Sequence, residues 1–530
     1  MKSFNTTAVC VPSKHYMVDI SERISEIRKL VDDGKYFTIN RARQYGKTTT
    51  LNALGKELKK DYIVISLSFE GITDAGFRSE GEFVQAFSRL ILDQKEFYGV
   101  EVPDKIADVL QKISEADPEK VKMDELFRTI RRWTADSEKP IVLFIDEVDS
   151  ATNNQVFMDF LAMLRDGYIA RESDGVPALQ SVILAGVTDV KHLKSRIRDD
   201  KSSKDNSPWN IAADFDIEMS LTEAGIKGML DDYENDHKTG MDTEKMAHQI
   251  REYTHGYPFL VSRICELLDT TVAKKMGRPD RVWDSEGLDE AIKLILAEDN
   301  TLFQSLTGKI NNYTKLRDSI RSILMEGTKL AYNPDQDDIA QMQMYGFIRN
   351  VDSTVRIDNR IFETRLYNLF LSDEELQSNI FSREGDLAKN IFVEDGKLNV
   401  RLILSRFIET YGQICGPVEK GFKEKDGREQ FLLYLKPIIN GTGNYYIEAQ
   451  TRDRKRTDVI IDYLGHQYII ELKIWHGERY NADGERQIIE YLDRFGLSTG
   501  YMLSFNFNKN KGPGVRQVHI GDKLLYEGTV

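Results

Sequence analysis

The sequence has few of the residues that build disulfide frameworks and metal sites. Its 530 residues include only three cysteines and eight histidines. The cysteines (Cys10, Cys265 and Cys415) lie far apart with no Cys-x-x-Cys pair, and the histidines show no metal-ligand spacing. This pattern fits a reducing compartment and argues against a zinc site or a disulfide scaffold.

Long apolar segments are also lacking. No run approaches the roughly 18 residues of a membrane helix, and the first residues lack the apolar stretch of a secretion signal. We therefore expect a cytoplasmic protein with no membrane partner. The net charge of -14 argues against a general polyanion binder, so any nucleic-acid surface must be local. A length of 530 residues allows two to four domains.

One glycine is missing from a loop near the start of the chain that otherwise suits phosphate binding. An apolar run from Tyr36 to Ile39 leads into a loop that ends in Gly46-Lys47-Thr48 and opens a predicted helix. This strand–loop–helix order is the context of a phosphate-binding loop: glycine lets the backbone approach, Lys47 reaches the β/γ-phosphates and Thr48 ligates Mg²⁺. The position five residues before Gly46, which is usually glycine, is Arg41.

A second motif follows a continuous apolar run from Ile141 to Ile145. Such a run is typical of a central strand in a parallel sheet, and acids at its end lie where ligands bind in open α/β sheets. Asp146 would hold Mg²⁺ through a water, and Glu147 would polarise the attacking water. The alternative is a buried strand that ends in solvated acids. The two motifs in this order predict an NTPase that binds ATP and Mg²⁺.

The rest of this region alternates strands and helices, which predicts a parallel α/β sheet with helices on both faces. The last strand leads to Thr188, which could sense the γ-phosphate or cap the strand. The charged segment 191–210 is either a solvated loop or the place of an arginine finger or a DNA contact. The turn Gly256-Tyr257-Pro258 either faces the nucleotide or forms a simple helix corner.

Further along, helices followed by a small β-ribbon favour a winged helix. It could read DNA, or it could be a spacer that relays nucleotide state. The expected domains are a P-loop AAA-like core (1–215), a helical lid (216–285), a winged-helix-like region (286–375), a linker (376–400) and a C-terminal α/β domain (401–530).

The C-terminal domain carries a second set of carboxylates. Two predicted strands meet at a hairpin turn, with Asp458 on the first and Glu471-Leu472-Lys473 on the second. Glu471 and Lys473 share one face of their strand. Two carboxylates that hold Mg²⁺, with a lysine that stabilises developing charge, suffice for phosphodiester cleavage. The alternative is a small α/β domain with a salt-bridged surface hairpin.

Other residues around these strands favour a nucleic-acid site. A basic cluster adjoins Asp458 and could neutralise backbone phosphates. Glu429 lies on an upstream predicted helix, and Gln487 and Tyr491 are four residues apart on a downstream one, so both face one side. The cluster consists of Arg452, Arg454, Lys455 and Arg456.

These motifs resemble a bacterial family that joins an AAA-ATPase-like domain to a C-terminal PD-(D/E)XK nuclease-superfamily domain. Its phosphate loop typically has the pattern R-P-R-R-[FY]-G-K-[ST]. The matching residues here are Arg41, Arg43, Tyr45, Gly46, Lys47 and Thr48, whereas Ala42 and Gln44 depart from it. Arg41 in the glycine position is therefore a family trait. We expect the nucleotide to contact Arg43, Tyr45, Gly46, Lys47, Thr48, Thr49, Asp146, Thr188 and Pro258.

The C-terminal resemblance covers Asp458, Glu471, Lys473 and the pair Gln487 and Tyr491, the last as in RecB-like nucleases. It implies a restriction-endonuclease-like domain in which Asp458 and Glu471 are metal ligands. The metal ligands expected beside the nucleotide are Thr48 and Asp146. The expected catalytic residues are Glu147, Asp458, Glu471, Lys473 and Gln487.

Two functions stay open from the sequence. The first is a nuclease that is regulated by ATP, depends on Mg²⁺ or Mn²⁺ and acts on DNA, for example in defence against mobile DNA. ATP could also organise such a chain into a homo-oligomer. The second is a switch that binds a protein or DNA partner without cleavage, since the order of ATPase, lid and winged helix is similar to archaeal-type ATPases of the STAND class.

Overall fold

A computed structural model describes most of the chain. It covers residues 2–152, 154–188, 190, 208–277, 279–325, 328–372, 380–388, 391–394, 396–415, 424–439, 443–446, 459–463, 466–475, 485–486, 488–489, 492–493, 496–506 and 512–530. The chain divides into two compact units, which are Met1–Leu221 with Met344–Gly346, and Thr222–Gln343 with Phe347–Val530.

The first unit is built around a parallel sheet. A separate two-stranded ladder, β1 (Ser3–Phe4) with β2 (His15–Tyr16), precedes this sheet in the chain. The strands of the sheet are β3 (Phe37–Asn40), β4 (Ile63–Ser68), β5 (Ile141–Asp146) and β6 (Ser181–Gly186). The spatial order is β3-β6-β5-β4, and all neighbours are parallel. The carboxyl ends of β3, β6 and β5 therefore lie side by side at one edge, which brings the two nucleotide motifs together.

Helices cover both faces of this sheet because its strands alternate between two apolar cores. Leu143 and Ile145 of β5 pack against the helices on one face, whereas Val142 and Phe144 pack against the helices on the other face. Burial on both faces is the reason for the unbroken apolar runs, and the predicted α/β sheet is confirmed. The helices are α1 (Ser21–Asp32), α2 (Lys47–Leu58), α3 (Glu80–Tyr98), α4 (Asp104–Glu115), α5 (Met123–Asp136) and α6 (Gln155–Asp174).

The second unit begins with helices and a hairpin. The antiparallel hairpin of β7 (Ile348–Val351) and β8 (Thr354–Ile357) is the predicted β-ribbon, while a winged helix as such stays a prediction. The helices are α7 (Glu223–His237), α8 (Thr243–Thr254), α9 (Pro258–Leu267), α10 (Ala273–Met276), α11 (Pro279–Val282), α12 (Ser285–Ala297), α13 (Thr301–Asn312), α14 (Thr314–Met325), α15 (Asp337–Met344) and α16 (Arg360–Leu371).

A six-stranded mixed sheet forms the C-terminal part. Its order is β11-β12-β13-β14-β16-β15, with β13, β14 and β16 mutually parallel and the other pairs antiparallel. A separate two-stranded ladder, β9 (Val393–Glu394) with β10 (Lys397–Leu398), precedes this sheet in the chain. The strands of the sheet are β11 (Gly443–Tyr446), β12 (Val459–Tyr463), β13 (His466–Trp475), β14 (Thr499–Asn506), β15 (Gly514–Ile520) and β16 (Lys523–Thr529).

Apolar residues cover both faces of this sheet too. On one face, Ile469 and Met502 pack with Ile488 and Leu492. On the other face, the Phe505 ring contacts the rings of Phe407 and Tyr411. The helices here are α17 (Ile380–Ala388), α18 (Val400–Ile414) and α19 (Glu424–Ile439).

Helix α17 occupies residues 380–388 of the predicted linker 376–400. It packs so closely on α19 that a Cβ atom at Gly385 would lie 2.1 Å from the Tyr434 carbonyl oxygen. The domain boundaries stay predictions. Over the described ranges, no helix has both the length and the apolar character that a bilayer crossing requires.

Candidate functional site

The loop after β3 forms a cradle at the start of α2. Gly46 immediately precedes the helix with φ of +83°, a left-handed conformation that glycine adopts without strain. The Gly46 carbonyl accepts the Thr50 N–H at 2.9 Å, so the α-helix is hydrogen-bonded from its first turn. The N–H groups of Lys47, Thr48 and Thr49, which precede Thr50, have no partners within the helix and can bind an anion.

Lys47 is buried inside this loop, with only 6% of its surface exposed. Its Nζ atom donates hydrogen bonds to the carbonyl oxygens of Arg41 and Ala42, both at 3.0 Å. Burial lowers the pKa of the lysine, and the charges of Glu147 and the neighbouring acids oppose this shift. The loop therefore encloses the cation that the sequence assigns to the phosphates.

The two predicted metal ligands of this site are in direct contact. The Thr48 hydroxyl donates a hydrogen bond of 2.7 Å to Asp146 Oδ2 at the end of β5. Paired hydroxyl and carboxylate oxygens are the donor set that Mg²⁺ prefers, so these residues fit the ion. Glu147 follows with a left-handed φ of +54°. Burial is the main cause that raises the pKa of Glu147, and a carboxyl with a raised pKa suits a general base.

Asp149 is a site residue to which the sequence analysis gave no role. Its two carboxylate oxygens accept the backbone N–H groups of Val187 and Thr188, each at 2.7 Å. A Cβ atom at Gly186 would lie 2.8 Å from Val148 Cγ2, so only glycine permits this approach. Asp149 thus fixes the backbone of Thr188, which the sequence predicts either to sense the γ-phosphate or to cap the strand. The signal in the sequence was a third acid after β5 and a glycine at the end of β6.

We expect Asp149→Asn to slow ATP hydrolysis more than it weakens ATP binding. An asparagine side chain offers one acceptor oxygen and turns an N–H₂ group toward a backbone N–H, so Thr188 loses its fixed position. We expect kcat to fall by about tenfold, which equals ~1.4 kcal/mol of barrier. Steady-state kinetics and calorimetric titration with ATP separate the two effects, with Asp108→Asn on the exposed face of α4 as the control. A variant that loses affinity at constant kcat would contradict this role.

The other predicted residues of the loop have several roles. Arg41, in the usual glycine position, donates hydrogen bonds to the carbonyl oxygens of Phe215 (3.4 Å) and Ile217 (3.0 Å), and it lies over the Phe215 ring. Its guanidinium therefore ties the loop to a later segment of the same unit. The Thr49 hydroxyl accepts the Cys10 N–H at 3.2 Å. The nucleotide contact of Thr49 stays a prediction.

Arg43 and Tyr45 differ in their surroundings. Arg43 is exposed, and Tyr45 packs partly against the core formed with α1 and α2. Arg43 is therefore open to solvent, whereas the ring of Tyr45 is partly enclosed by the core. Their nucleotide contacts stay predictions.

Pro258 opens α9 in the second unit, as the sequence predicts. Two left-handed residues, His255 and Gly256, precede it and end α8. The Gly256 N–H donates to the Thr254 hydroxyl at 3.0 Å, which closes the turn. A proline at the first helical position costs no hydrogen bond. The nucleotide contact of this turn stays a prediction.

The C-terminal sheet brings Glu471 and Lys473 together. Glu471 is completely buried, and Lys473 Nζ lies 3.0 Å from its Oε1 atom. Leu472 is buried and, by strand alternation, faces the opposite side. Glu429 on α19 forms an ion pair of 3.8 Å with Arg321 of α14. The sheet therefore holds Glu471 and Lys473 as an ion pair with a buried carboxylate.

Several predicted residues lie outside the described part of the chain. They are Asp458, Gln487, Tyr491, the basic cluster 452–456 and residues 191–207. Within the described part, no group of three or more His, Cys, Asp and Glu side chains could hold a metal ion. Of the two ligands predicted for the second metal site, Glu471 lies in the described part and Asp458 does not.

Each comparison that finds a match covers about two thirds of the chain. Residues 4–372 match the family described as "AAA-like domain". Among solved structures, the Walker-type ATPase of Pyrococcus abyssi shares 15% identity, covers 69% of this chain and 99% of its own, and gives a TM-score of 0.47. The Aeropyrum pernix ORC1 protein, solved in complex with DNA, has 10% identity, coverages of 67% and 93%, and a TM-score of 0.31.

The RuvB branch migration motor of Thermotoga maritima has 12% identity, covers 64% of this chain and 92% of its own, and gives a TM-score of 0.33. A comparison with curated proteins finds no match. Likenesses this distant carry no argument about individual residues, so the role of each side chain rests on the geometry of the site.

Proposed function

The chain belongs to the AAA-like domain family, and we propose that it binds and hydrolyses ATP. We further propose that its nucleotide state regulates a metal-dependent nuclease acting on DNA. The proposed ATPase activity is supported by one observation. Lys47, Thr48 and Asp146 lie together at one edge of the parallel sheet. The 2.7 Å contact between Thr48 and Asp146 joins the phosphate loop to the acidic strand. This is the arrangement that phosphoryl transfer requires.

Each residue has a distinct task in this activity. Lys47 would exchange its bonds to the loop carbonyls for bonds to the phosphates, which carry more charge. Thr48 and Asp146 would hold Mg²⁺, whose charge lowers the barrier when it is bound. Glu147 would orient and deprotonate the attacking water. Asp149 would keep Thr188 in place through its two backbone hydrogen bonds.

The nuclease half rests on Glu471 and Lys473. Burying a carboxylate is costly unless a partner compensates, and such groups cluster at functional sites. A bound Mg²⁺ or Mn²⁺ would supply an activated water and offset charge on the scissile phosphate. Glu471 would hold that ion together with Asp458, and Lys473 would neutralise charge that develops on the phosphate. Gln487 would assist from the following helix.

A second candidate is a STAND-like switch that binds a protein or DNA partner without cutting. Helix α15, which precedes the hairpin, has the sequence DDIAQMQM and carries no Lys or Arg. Asp337 and Asp338 would repel DNA phosphates, which favours the spacer role of this region over DNA reading. In this case ATP would control partner capture, and it could also drive assembly into a homo-oligomer.

Incubation of the full-length protein with supercoiled plasmid separates the two candidates. We expect nicked or linear product only with Mg²⁺ or Mn²⁺ and ATP, and none after EDTA addition. Parallel reactions with single-stranded DNA and RNA would give the substrate class, and ADP would test the nucleotide state. ATP hydrolysis with no cut product under any of these conditions would reject the nuclease and favour the switch.

A further inference from the structure

The last turn of α8 contacts the C-terminal sheet directly. Tyr253 lies on this turn, and its hydroxyl donates a hydrogen bond of 2.5 Å to Asp462 Oδ2 on β12. The two residues are 209 positions apart in the sequence. The contact lies within the second unit, so it joins the lid helices to the sheet that carries Glu471 and Lys473.

Asp462 is a buried carboxyl that accepts two side-chain hydrogen bonds, one of them from Tyr253. Only 8% of its surface is exposed, and its other oxygen accepts a hydrogen bond of 2.8 Å from Gln467 Nε2. Burial raises the pKa of this carboxyl, and the hydrogen bonds from Tyr253 and Gln467 oppose the shift. A buried carboxyl without such donors would be strongly unfavourable. The sheet therefore depends on the lid to satisfy one of its own polar groups.

Neighbouring residues hold the same helix turn in place. Arg360, at the start of α16, lies 3.5 Å from Glu252 and over the Tyr253 ring at 5.9 Å. His255 Nε2 lies 2.9 Å from an Arg349 nitrogen on β7. The end of α8 thus contacts three elements immediately before the turn at Gly256 and Pro258. From the sequence, this turn either faces the nucleotide or forms a simple helix corner.

Asp462 lies on the strand that pairs with β13, which carries Glu471 and Lys473. Asp462 pairs with Gln467 in the antiparallel register of β12 and β13. Residues two apart share a face of a strand, so Gln467, Glu471 and Lys473 lie on the same side of β13. A displacement of Asp462 would therefore act on the strand pair that positions the Glu471 carboxylate.

We propose that Tyr253 and Asp462 are positioning residues that transmit the state of the turn at Gly256 and Pro258 to the strand pair β12–β13. The response to ATP rests on the proposed ATP binding and on a nucleotide contact of this turn, and the catalytic consequence rests on the proposed nuclease function. Movement of the α8 terminus lengthens or shortens one hydrogen bond to a buried carboxyl. Since Asp462 has no equally good position without that donor, β12 follows the helix.

The test replaces Tyr253 by phenylalanine, which removes only the hydroxyl. Hydrogen exchange of peptides covering 459–475 is measured in the full chain, with and without ATP. We expect exchange in Tyr253→Phe to rise by about fivefold, the effect of one lost hydrogen bond, and to respond no longer to ATP. By linkage, the affinity for ATP shifts by no more than about the same factor. If the nuclease is active, cleavage by the variant becomes insensitive to ATP.

The matched control is Tyr233→Phe, because Tyr233 donates a similar hydrogen bond of 2.6 Å to Asp269 within the lid helices. This variant should keep both the protection and its response to ATP. Asp462→Asn retains an acceptor oxygen for Tyr253 and should keep most of the coupling. Unchanged exchange in Tyr253→Phe overturns the proposal, and so does a wild type that binds ATP in a calorimetric titration while its 459–475 exchange ignores ATP. A wild type that shows the coupling but cuts no nucleic acid rejects the nuclease alone.

Discussion

The Lys47→Ala variant is expected to lose ATP binding altogether. Lys47 is the buried cation of the phosphate loop, and hydrogen bonds from a charged group contribute ~1.5–3 kcal/mol each. Removing the ammonium removes both its charge and its donors, so we expect an affinity loss of at least about a hundredfold, or ~2.7 kcal/mol. Isothermal titration calorimetry with ATP and Mg²⁺ measures this directly.

Lys56→Ala is the matched control for this variant. Lys56 lies on the last turn of the same helix and is exposed, so its loss changes the net charge equally without touching the loop. We expect Lys56→Ala to bind ATP as the wild type does. Thermal unfolding of both variants shows whether the fold persists. A Lys47→Ala protein that is folded and still titrates like the wild type would exclude this loop as the nucleotide site.

The Glu471→Gln variant is expected to abolish metal-dependent cleavage while the protein stays folded. Glutamine keeps the shape of the side chain but loses the charge that would hold the ion beside Lys473. Loss of a metal ligand removes the activated water, so we expect a fall in cleavage rate of at least about a thousandfold, or ~4 kcal/mol of barrier. Lys473→Ala should lose activity as well. Plasmid cleavage with Mg²⁺ or Mn²⁺ and ATP gives the rate.

Glu527→Gln provides a control in the same sheet. Glu471 pairs with Met502, and Met502 pairs with Glu527 on β16, so the two carboxylates lie in one row across three strands. Glu527 is also buried and forms an ion pair with Arg516. If buried ion pairs here are only structural, both variants should lose stability and neither should lose activity selectively. Comparable cleavage by Glu471→Gln and the wild type would remove the nuclease from the proposal.

The first unit could be predicted well because its signals are local. The runs before Asn40 and Asp146 are apolar at nearly every position, which is typical of a strand buried on both faces. The Gly46-Lys47-Thr48 sequence opens a helix directly after such a strand. These features need no knowledge of distant residues, so the sequence was enough to place Lys47, Thr48 and Asp146 at one edge of the sheet.

The role of Arg41 could not be predicted in the same way. Its side chain bonds to carbonyl oxygens at positions 215 and 217, and no local pattern indicates which backbone a guanidinium will meet. In the sequence it appeared as a departure from a glycine-rich loop. The fold shows that it ties the loop to a later segment of its unit.

By itself the sequence determined the α/β class of the fold and which residues are candidates for two sites, because periodicity and short motifs report on neighbours within a few positions. Only the tertiary structure decided which polar groups hold those residues in place. Asp149 reaches Val187 and Thr188 across adjacent strands, and Tyr253 reaches Asp462 over 209 positions. Such contacts depend on how strands and helices pack, and a single sequence carries no local record of that packing.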